Sequence, residues 1–323
     1  MTGNYHISVL ARAKVNLTLH VLARLRSGYH ALESLVVFPE FGDVVELDIT
    51  DSINKPSGYY LDVRGPFAND IAGKPNLITL AVSAFLEEFQ LKSSFDRLSI
   101  SVVLHKNLPV AAGLGGGSAN AAAVLRALSN YVLLQKSFAC REPAVLTNTF
   151  QLRQGTSSFN YLSKVALQLG SDVPVCLRSR SSVVGNIGEV TSVIQTPQFA
   201  ILLINSGVPV STGEVFRRLP FLQRSRMPVY PRQFKNYDHF CSYVRDTRND
   251  LTTVACQISP EIATIIDELR RCCGLDVCGM SGAGGTCFGV FEQLSAANTA
   301  KSFLQKKYPA WWCASSTVFC VNC

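Results

Sequence analysis

The stretch Pro109-Val-Ala-Ala-Gly113-Leu-Gly-Gly-Gly117-Ser-Ala-Asn120 follows a predicted strand and opens a predicted helix. A glycine-rich turn in this position lets successive backbone N–H groups converge on an anion, and the helix N-terminus adds roughly half a positive charge. The stretch lacks the Lys-Ser/Thr pair of a Walker A loop and the Gly-x-Gly-x-x-Gly spacing of a dinucleotide fingerprint. A flexible linker or a tight strand–helix turn is the plain alternative. Because four glycines capped by Ser118 are more than a turn needs, the stretch predicts a phosphate-binding loop.

The elements around this loop follow from hydrophobic periodicity. Residues 14–21 alternate strictly between apolar and polar side chains, which predicts a half-buried strand with an outer polar row formed by Lys14, Asn16, Thr18 and His20. Other strands are predicted at 44–49, 98–104, 200–204, 286–291 and 316–321. Helices are predicted at 77–89, 118–128, 161–169, 260–272 and 295–306, with Ser118 and Ser259 as caps. Residues 133–158 are polar and aperiodic and indicate an inserted loop or a weak helix.

A second glycine-rich stretch, Gly279-Met-Ser-Gly-Ala-Gly-Gly-Thr286, leads into the strand predicted at 286–291. Alone it is a weak signal, and a β-hairpin or a bulge is the plain interpretation. Paired with the first loop, it could close the far side of a phosphate site.

Composition excludes several classes of protein. The 323 residues carry a net charge of +7, only 16% are charged and 47% are hydrophobic, which excludes a disordered, collagen-like or coiled-coil chain. The uncharged residues 107–125 are too rich in Gly, Ala, Ser and Asn for a membrane span, and residues 1–10 do not form a signal peptide. We therefore predict a cytoplasmic protein whose eleven cysteines are reduced thiols.

The positive charge is local. Six basic residues and no acidic one lie between Glu214 and Asp238, which favours a solvated basic loop or a rim that attracts polyanionic ligands. These six are Arg217, Arg218, Arg224, Arg226, Arg232 and Lys235.

Three segments resemble the sequence motifs of the GHMP kinases, the superfamily of galactokinase, homoserine kinase and mevalonate kinase. They are Ala13-Lys-Val-Asn16, residues 109–119 and Ser281-Gly-Ala-Gly284. Further segments are similar to the branch of this superfamily that acts on a cytidylated methylerythritol. They are Gly28-Tyr-His-Ala-Leu-Glu-Ser-Leu35, Gly42-Asp43, Leu169-Gly-Ser-Asp-Val-Pro-Val175 and Asn249-Asp-Leu251. The resemblance runs from about residue 10 to residue 306.

The resemblance implies an α+β fold of two domains, with the active site in the cleft between them. Residues 1–184 would form the N-terminal ATP-binding domain and residues 185–323 a ferredoxin-like C-terminal domain. The implied reaction moves the γ-phosphoryl group of ATP to the 2-hydroxyl of the cytidylated methylerythritol, in the non-mevalonate route to isoprenoids. Mg²⁺ would bridge the ATP phosphates, without a protein metal ligand, although the Ser118 hydroxyl is a candidate. The implied partners are these small molecules, with no nucleic acid and no membrane, in a monomer or a weak homodimer.

The resemblance also implies roles for residues. Asp172 matches the catalytic aspartate and is expected in a turn where a helix ends and a strand begins, although a turn-forming aspartate is its plain alternative. Lys14 matches the catalytic lysine. The residues implied in binding the alcohol substrate are Asn16, Tyr29, His30, Thr212 and Phe216, of which Tyr29 and Phe216 would stack on the cytosine and His30 would bond its edge. Asn16 lies two residues after Lys14 and hence on the same face of a strand. Those implied in binding ATP are Asn76, Lys106, Pro109, Val110, Ala111, Ala112, Gly113, Leu114, Gly115, Gly116, Gly117, Ser118 and Ala119.

The chain departs from the family pattern at several positions. Arg12 and Gly213 stand where proline is frequent, Ala283 where a hydroxyl residue is common, and Gly285 where proline or alanine is common. Two other functions stay open: a kinase of the same superfamily that acts on homoserine or a mevalonate derivative, and an RNA-binding protein, which only the +7 charge supports.

Overall fold

The computed structural model describes residues 4–26, 28–51, 58–88, 98–136, 157–220 and 225–320. The chain divides into two compact units, each discontinuous in sequence. The first comprises Met1–Ala11, Gly42–Leu108 and Gly116–Arg178, and the second comprises Arg12–Phe41, Pro109–Gly115 and Ser179–Cys323. The loop at 109–115 therefore belongs to the second unit. The predicted domain boundary between residues 184 and 185 stays a prediction.

The strands of the described residues, in chain order, are β1 (Asn4–Arg12), β2 (Val15–Asn16), β3 (His20–Arg24), β4 (His30–Val37), β5 (Gly42–Asp51), β6 (Gly58–Arg64), β7 (Leu98–His105), β8 (Ser182–Asn186), β9 (Glu189–Val193), β10 (Phe199–Asn205), β11 (Leu275–Met280), β12 (Thr286–Phe291) and β13 (Trp312–Val318). The helices are α1 (Leu77–Glu88), α2 (Gly116–Lys136), α3 (Ser157–Leu169), α4 (Val173–Arg178), α5 (Thr212–Arg218), α6 (Tyr237–Arg245), α7 (Thr252–Ile258), α8 (Glu261–Arg270) and α9 (Leu294–Lys307).

The first unit is a sheet in the strand order β1-β5-β7-β6 together with helices α1 to α4. In β5, Val45, Leu47 and Ile49 are fully buried and alternate with more exposed polar residues, which is the pattern of a strand with one face in the core. Residues 121–125 of α2 are buried without interruption. A helix that is buried on all sides is a core helix, so α2 is central to this unit.

The second unit contains two sheets. In the first, the order is β2-β4-β8-β9, and β3 also pairs with β4. In the second, the order is β11-β12-β10-β13, and all neighbours are antiparallel. Along the chain this sheet reads strand, helices, two strands, helix, strand, with the first strand at the centre beside the third and the fourth. This is the ferredoxin-like arrangement, and it confirms the predicted layout of the C-terminal part.

Burial explains why β10 is central in that sheet. All seven residues of β10 are buried, which requires cover on both faces and a neighbour on each edge. Residues of β10 belong to a cluster of buried apolar side chains, to which helices α8 and α9 contribute residues at helical spacing. These residues are Ile262, Ile265, Leu269, Ala297, Ala300 and Leu304.

The prediction of an outer polar row at residues 14–21 is wrong. The polar residues of this segment are as buried as the apolar ones, and the strands β2 and β3 are separated by an irregular stretch. A segment from much later in the chain covers the polar side, because the hydroxyl of Thr18 donates to Sδ of Met227 at 3.0 Å and Nδ1 of His20 lies 3.1 Å from the Ser225 carbonyl oxygen.

Three local predictions also need correction. Helix α2 begins at Gly116, so Ser118 lies inside the first turn and is not its cap. At α8 the capping position is held by Pro260, and Ser259 instead bonds the Glu261 carboxylate at 2.7 Å. Asp172 lies between two helices, α3 and α4, and not between a helix and a strand. Most of the insertion predicted at 133–158 lies outside the described residues.

Several cysteines pack as small apolar side chains. Cys241, Cys287 and Cys313 are buried, and burial raises the pKa of each thiol, to about 11 for Cys241 and Cys313. These thiols therefore stay protonated at neutral pH and behave as small apolar side chains. No helix among the described residues is long and apolar enough to cross a membrane.

A buried carboxylate joins α8 to α9. Glu268 is 4% exposed and accepts hydrogen bonds of 2.7 Å from Nζ of Lys307 and from a guanidinium nitrogen of Arg271. The hydrogen bond from Lys307 is the largest of the effects that lower the pKa of Glu268. Because the carboxylate is favoured in the folded state, this cluster stabilises the fold at neutral pH, and the contribution is lost as the pH falls through the lowered pKa.

We expect Glu268→Gln to lower the free energy of unfolding by about 1–3 kcal/mol at pH 7, because two charge-assisted hydrogen bonds to a buried group are weakened. Urea unfolding followed by circular dichroism measures this. The difference in free energy of unfolding between wild type and variant should shrink as the pH falls below about 4, because the Glu268 carboxyl of the unfolded chain then binds a proton.

The neighbouring exposed pair of Asp267 and Arg270, with a 3.0 Å contact, provides the matched control. Asp267→Asn should cost less than about 0.5 kcal/mol, because exposed pairs contribute little. Equal losses for the two variants would mean that the Glu268 cluster is no more than a surface ion pair.

Candidate active site

The loop at 109–115 has an alternating backbone conformation. Ala111, Gly113 and Gly115 adopt left-handed backbone angles, with φ of 51°, 73° and 61°. When such residues alternate with ordinary ones, successive N–H groups turn toward a common point and form a concavity that binds anions. Ala111 holds this conformation although a side chain makes it unfavourable by about 1–2 kcal/mol. The predicted phosphate loop thus has a backbone suited to phosphate oxygens.

The turn between β11 and β12 packs on this loop. The hydroxyl of Ser281 donates to the Gly113 carbonyl oxygen at 2.8 Å and accepts the Asn16 N–H at 3.0 Å. The Thr286 N–H donates to the Ala112 carbonyl oxygen at 3.2 Å. The second glycine-rich stretch is therefore a β-hairpin, and its turn also supports the first loop. The interpretation as a hairpin is confirmed, and closure of a phosphate site by this turn stays a prediction.

Side chains are excluded where the two loops meet. A Cβ at Gly113 would lie 2.3 Å from the Ser281 carbonyl oxygen, and one at Gly282 would lie 3.1 Å from the Gly113 carbonyl oxygen. Gly285, at φ 87°, would place a Cβ 3.3 Å from Cα of Ala112. Glycine at 285, a departure from the family pattern, thus fits a close backbone approach and a left-handed conformation.

Asn249 holds the hairpin turn through two side-chain hydrogen bonds. Its Nδ2 donates to the carbonyl oxygens of Met280 and Gly282, each at 2.8 Å. The next residue, Asp250, accepts the Val21 N–H at 2.8 Å and Nε of Arg248 at 2.6 Å. The Asn249-Asp250 pair, which carries part of the resemblance, therefore ties the turn to β3.

Lys14 runs along the same loop. Its N–H donates to the Leu114 carbonyl oxygen at 2.8 Å, and the residue is 7% exposed. A Cβ at Gly115 would lie 3.2 Å from both Cβ and Cε of Lys14. The missing side chain at 115 thus makes room for the lysine, which places a cation beside the candidate phosphate loop.

The aromatic residues predicted to receive a base lie partly together. The rings of His30 and Phe216 stack with centroids 4.9 Å apart and an angle of 27° between planes. Thr212 lies one turn before Phe216 on α5 and is exposed, so the two share a helix face. Tyr29 is 62% exposed. Burial, followed by the charge of Arg24, lowers the pKa of His30, which keeps this imidazole neutral at pH 7.

In the first unit, Asp172 lies half-buried at the start of α4. Its carbonyl oxygen accepts the Cys176 N–H at 3.2 Å, so the backbone at Asp172 is part of the first turn. Asn76 caps α1, because its Oδ1 accepts the Ile78 N–H at 3.0 Å.

Lys106 is 4% exposed and forms a buried ion pair. Its Nζ donates to Asp43 and to the Leu108 carbonyl oxygen, both at 2.7 Å, and would lie 3.3 Å from a Cβ at Gly116. Asp43 also accepts the N–H groups of Asn107 and Leu108. Lys106 and Asp43 thus fix the chain just before the loop and close to the first residue of α2. Gly116, Gly117, Ser118 and Ala119 form the first turn of that helix.

The basic stretch is partly paired. Arg218 contacts Glu214 at 2.5 Å and Arg226 contacts Glu33 at 3.2 Å. Arg217, Arg232 and Lys235 are exposed, and Arg224 lies outside the described residues.

Comparison with known proteins shows the family to which this chain belongs. The family model described as the GHMP kinases N terminal domain matches residues 76–179, and the one described as GHMP kinases C terminal matches residues 243–310. The chain is 35% identical over 307 residues to a 4-diphosphocytidyl-2-C-methyl-D-erythritol kinase of Chelativorans sp. (strain BNC1), covering 95% of this chain and 94% of the relative. The chain belongs to the 4-diphosphocytidyl-2-C-methyl-D-erythritol kinase family of the GHMP kinases. A relative of the same name from Ruegeria pomeroyi is 36% identical over 316 residues, covering 97% of this chain and 99% of the relative.

Solved structures agree with this family. A crystal structure of 4-(cytidine 5'-diphospho)-2C-methyl-D-erythritol kinase is similar with a TM-score of 0.65 and 26% identity, covering 97% of this chain and 99% of the other. Mevalonate kinase of L. major has a TM-score of 0.62 at 16% identity, covering 98% of this chain and 97% of the other, and shows the shared fold alone. The α+β fold predicted from the resemblance to GHMP kinases is confirmed.

Some residues that organise the site were not singled out from the sequence. Asp43 and Asn249 lie in segments that carry the resemblance, yet their contacts with Lys106 and with the hairpin turn follow only from the structure. In the sequence, the only signal was that Asp43 follows Gly42 and Asn249 precedes Asp250 in segments of the resemblance, and this signal did not indicate a role for either residue.

Proposed function

We propose that this chain transfers the γ-phosphoryl group of ATP to the 2-hydroxyl of 4-diphosphocytidyl-2-C-methyl-D-erythritol, as the names of its relatives suggest. One observation carries the proposal: a left-handed glycine loop, locked by the hairpin turn and bordered by Lys14, in a member of this family. Phosphoryl transfer depends mainly on positioning and on stabilising charge, and a backbone concavity beside a buried cation provides both for a triphosphate.

The proposed roles follow the chemistry of each group. Asp172 accepts the proton of the substrate hydroxyl, and Lys14 offsets negative charge on the transferred phosphoryl group. Asn16 binds the alcohol substrate, whose cytosine contacts His30 and neighbouring aromatic rings. The ATP phosphates lie on residues 109–119, Asn76 lies near the adenine, and Lys106 also contributes to ATP binding. Asp172 and Lys14 lie in different compact units, so their joint action is a prediction that the variants below test.

Mg²⁺ is proposed to accompany ATP and to neutralise part of its phosphate charge. Among the side chains of the loop and the first turn of α2, the half-buried hydroxyl of Ser118 is an oxygen donor that fits such a cation. We also propose that the enzyme acts on small molecules and has no nucleic-acid or membrane partner. It is a monomer or a weak homodimer and is located in the cytoplasm. Sedimentation of the purified protein and fractionation of cells test these last points.

The deciding experiment is an ATP-coupled assay of the purified chain with 4-diphosphocytidyl-2-C-methyl-D-erythritol, homoserine and mevalonate in parallel. We expect turnover of the cytidylated substrate alone. Equal or greater turnover of homoserine or mevalonate would overturn the substrate assignment while leaving the kinase assignment intact. Salt-sensitive retention on RNA without any ATP consumption would instead favour an RNA-binding protein.

We expect His30→Ala to raise the KM for the cytidylated substrate about tenfold, because a hydrogen bond from the imidazole to the cytosine edge, worth roughly 1.4 kcal/mol, is lost. The KM for ATP should stay within about twofold of wild type. In the wild-type enzyme, the KM for the cytidylated substrate should rise as the pH falls through the lowered pKa of His30, because the neutral ring binds the base.

His6→Ala is the matched control, because His6 is an exposed histidine paired with Asp48 and is not among the residues proposed to bind substrate. It should leave both KM values unchanged. A rise in the KM for ATP in His30→Ala would show that the cytosine assignment is wrong.

A further inference from the structure

A directed chain of hydrogen bonds starts at Asn16. Nδ2 of Asn16 contacts the Ser34 hydroxyl at 2.7 Å, and that hydroxyl contacts the Thr18 carbonyl oxygen at 2.5 Å. All three residues are buried, at 5%, 3% and 0% exposure. The chain therefore lies out of reach of exchanging solvent.

The direction of this chain is fixed by chemistry. A carbonyl oxygen can only accept, so the single hydroxyl proton of Ser34 goes to Thr18. The Ser34 oxygen can then only accept, and the group that faces it from Asn16 must be the NH₂ donor. A reversed amide would bring the Asn16 oxygen against the lone pairs of Ser34. Ser34 thus determines which end of the amide points away from it.

The end that points away is a buried acceptor. Across the described ranges, Oδ1 of Asn16 has no hydrogen-bond partner. An unpaired buried oxygen costs about 1–3 kcal/mol, so a donor is expected to meet it when the site is filled. Gly282 is a neighbour of this oxygen and brings no side chain to it; a Cβ there would lie 3.5 Å from the oxygen. A hydroxyl group fits such an acceptor, whereas a phosphate or carbonyl oxygen does not.

We propose that Ser34 is a positioning residue that presents Oδ1 of Asn16 as a hydrogen-bond acceptor for a hydroxyl group of the alcohol substrate. The proposal rests on the proposed function, because it takes Asn16 as a substrate contact. It adds a cause for selectivity: the site accepts a hydrogen bond from the substrate at this point and disfavours an analogue that offers only acceptors there.

The test compares Ser34→Thr with Ser34→Val, which have nearly the same shape and differ by one hydroxyl group. We expect kcat/KM for the alcohol substrate to stay within about threefold of wild type in the Thr variant. In the Val variant it should fall about tenfold, the loss of one hydrogen bond of roughly 1.4 kcal/mol. The KM for ATP should stay within about twofold in both. Ser34→Ala provides a second variant without the hydroxyl and without added bulk.

A double-mutant cycle separates positioning from a purely structural role. In an Asn16→Ala background, Ser34→Ala should change kcat/KM by less than about twofold, because no amide is left to orient. A full additional loss in that background, or equal behaviour of the Thr and Val variants, would overturn the proposal. The cycle is measured with whichever alcohol the wild-type enzyme turns over, so failure of the substrate assignment shows up in wild type and failure of this inference in the cycle.

Discussion

We expect Asp172→Asn to reduce kcat about 10²–10⁴-fold, the range that a general base contributes. The carboxylate at 172 can accept the hydroxyl proton of the substrate as the oxygen attacks the γ-phosphorus, whereas an amide of nearly the same shape cannot. ATP binding, measured by equilibrium titration with the purified variant, should remain within about twofold of wild type. Steady-state kinetics with saturating ATP gives the loss in kcat.

Asparagine at 172 keeps one contact at the start of α4. The carbonyl oxygen of residue 172 accepts the Cys176 N–H whatever the side chain, and asparagine is itself favoured at helix starts. Asp238→Asn, at the exposed first turn of α6, is the matched control and should keep full turnover. Unchanged turnover in Asp172→Asn would remove this residue from the mechanism.

The parts of the fold that could be predicted from sequence are those whose pattern has one physical solution. The unbroken apolar run of β10 required cover on both faces, and the alternation in β5 required one buried face. Both strands are present. The boundaries and caps were less predictable, because Ser118 and Ser259 satisfy local rules that neighbouring residues satisfy as well.

Residues 14–21 show why part of the site could not be predicted. Alternation distinguishes two faces of a strand, but it does not say whether the polar face meets water or another segment. Here Ser225 and Met227, about 200 positions later, supply partners for His20 and Thr18. Such partners are set by tertiary packing, and the same holds for the bond from Asn16 to Ser34 and for the two bonds from Asn249.

The glycine loops lie between these cases. The sequence predicted a phosphate loop and a second glycine stretch able to close it, and the structure confirms that the two are in contact. The contact that requires glycine at each position can be identified only from the three-dimensional structure. Gly113 is required by the backbone of Ser281 and Gly284, and Gly282 by the backbone of Gly113. Gly115 is required by the side chain of Lys14.

We expect Gly113→Ala to have the largest effect of any single change in the loop. Alanine at φ 73° costs about 1–2 kcal/mol in any protein. The added Cβ would also lie 2.3 Å from the Ser281 carbonyl oxygen and 2.9 Å from that of Gly284, both backbone atoms that cannot move without opening the hairpin turn. The loop and the turn should separate, and the convergence of N–H groups on the phosphates should be lost. Titration with ATP should show at least tenfold weaker binding, and urea unfolding a loss of more than about 2 kcal/mol.

Gly207→Ala isolates the conformational part of this loss. Gly207 has φ 84° and no atom within 4 Å of an added Cβ, so alanine there meets the same backbone penalty without a clash. It should lower the free energy of unfolding by about 1 kcal/mol and leave ATP binding unchanged.

Ser281→Ala tests the contact between the hairpin turn and the loop without adding volume, because it removes the hydroxyl that joins Gly113 to Asn16. It should weaken ATP binding, and it can be measured even where Gly113→Ala is too unstable to purify. If Gly113→Ala behaved like Gly207→Ala and Ser281→Ala bound ATP as wild type does, the hairpin turn would have no part in holding the phosphate loop.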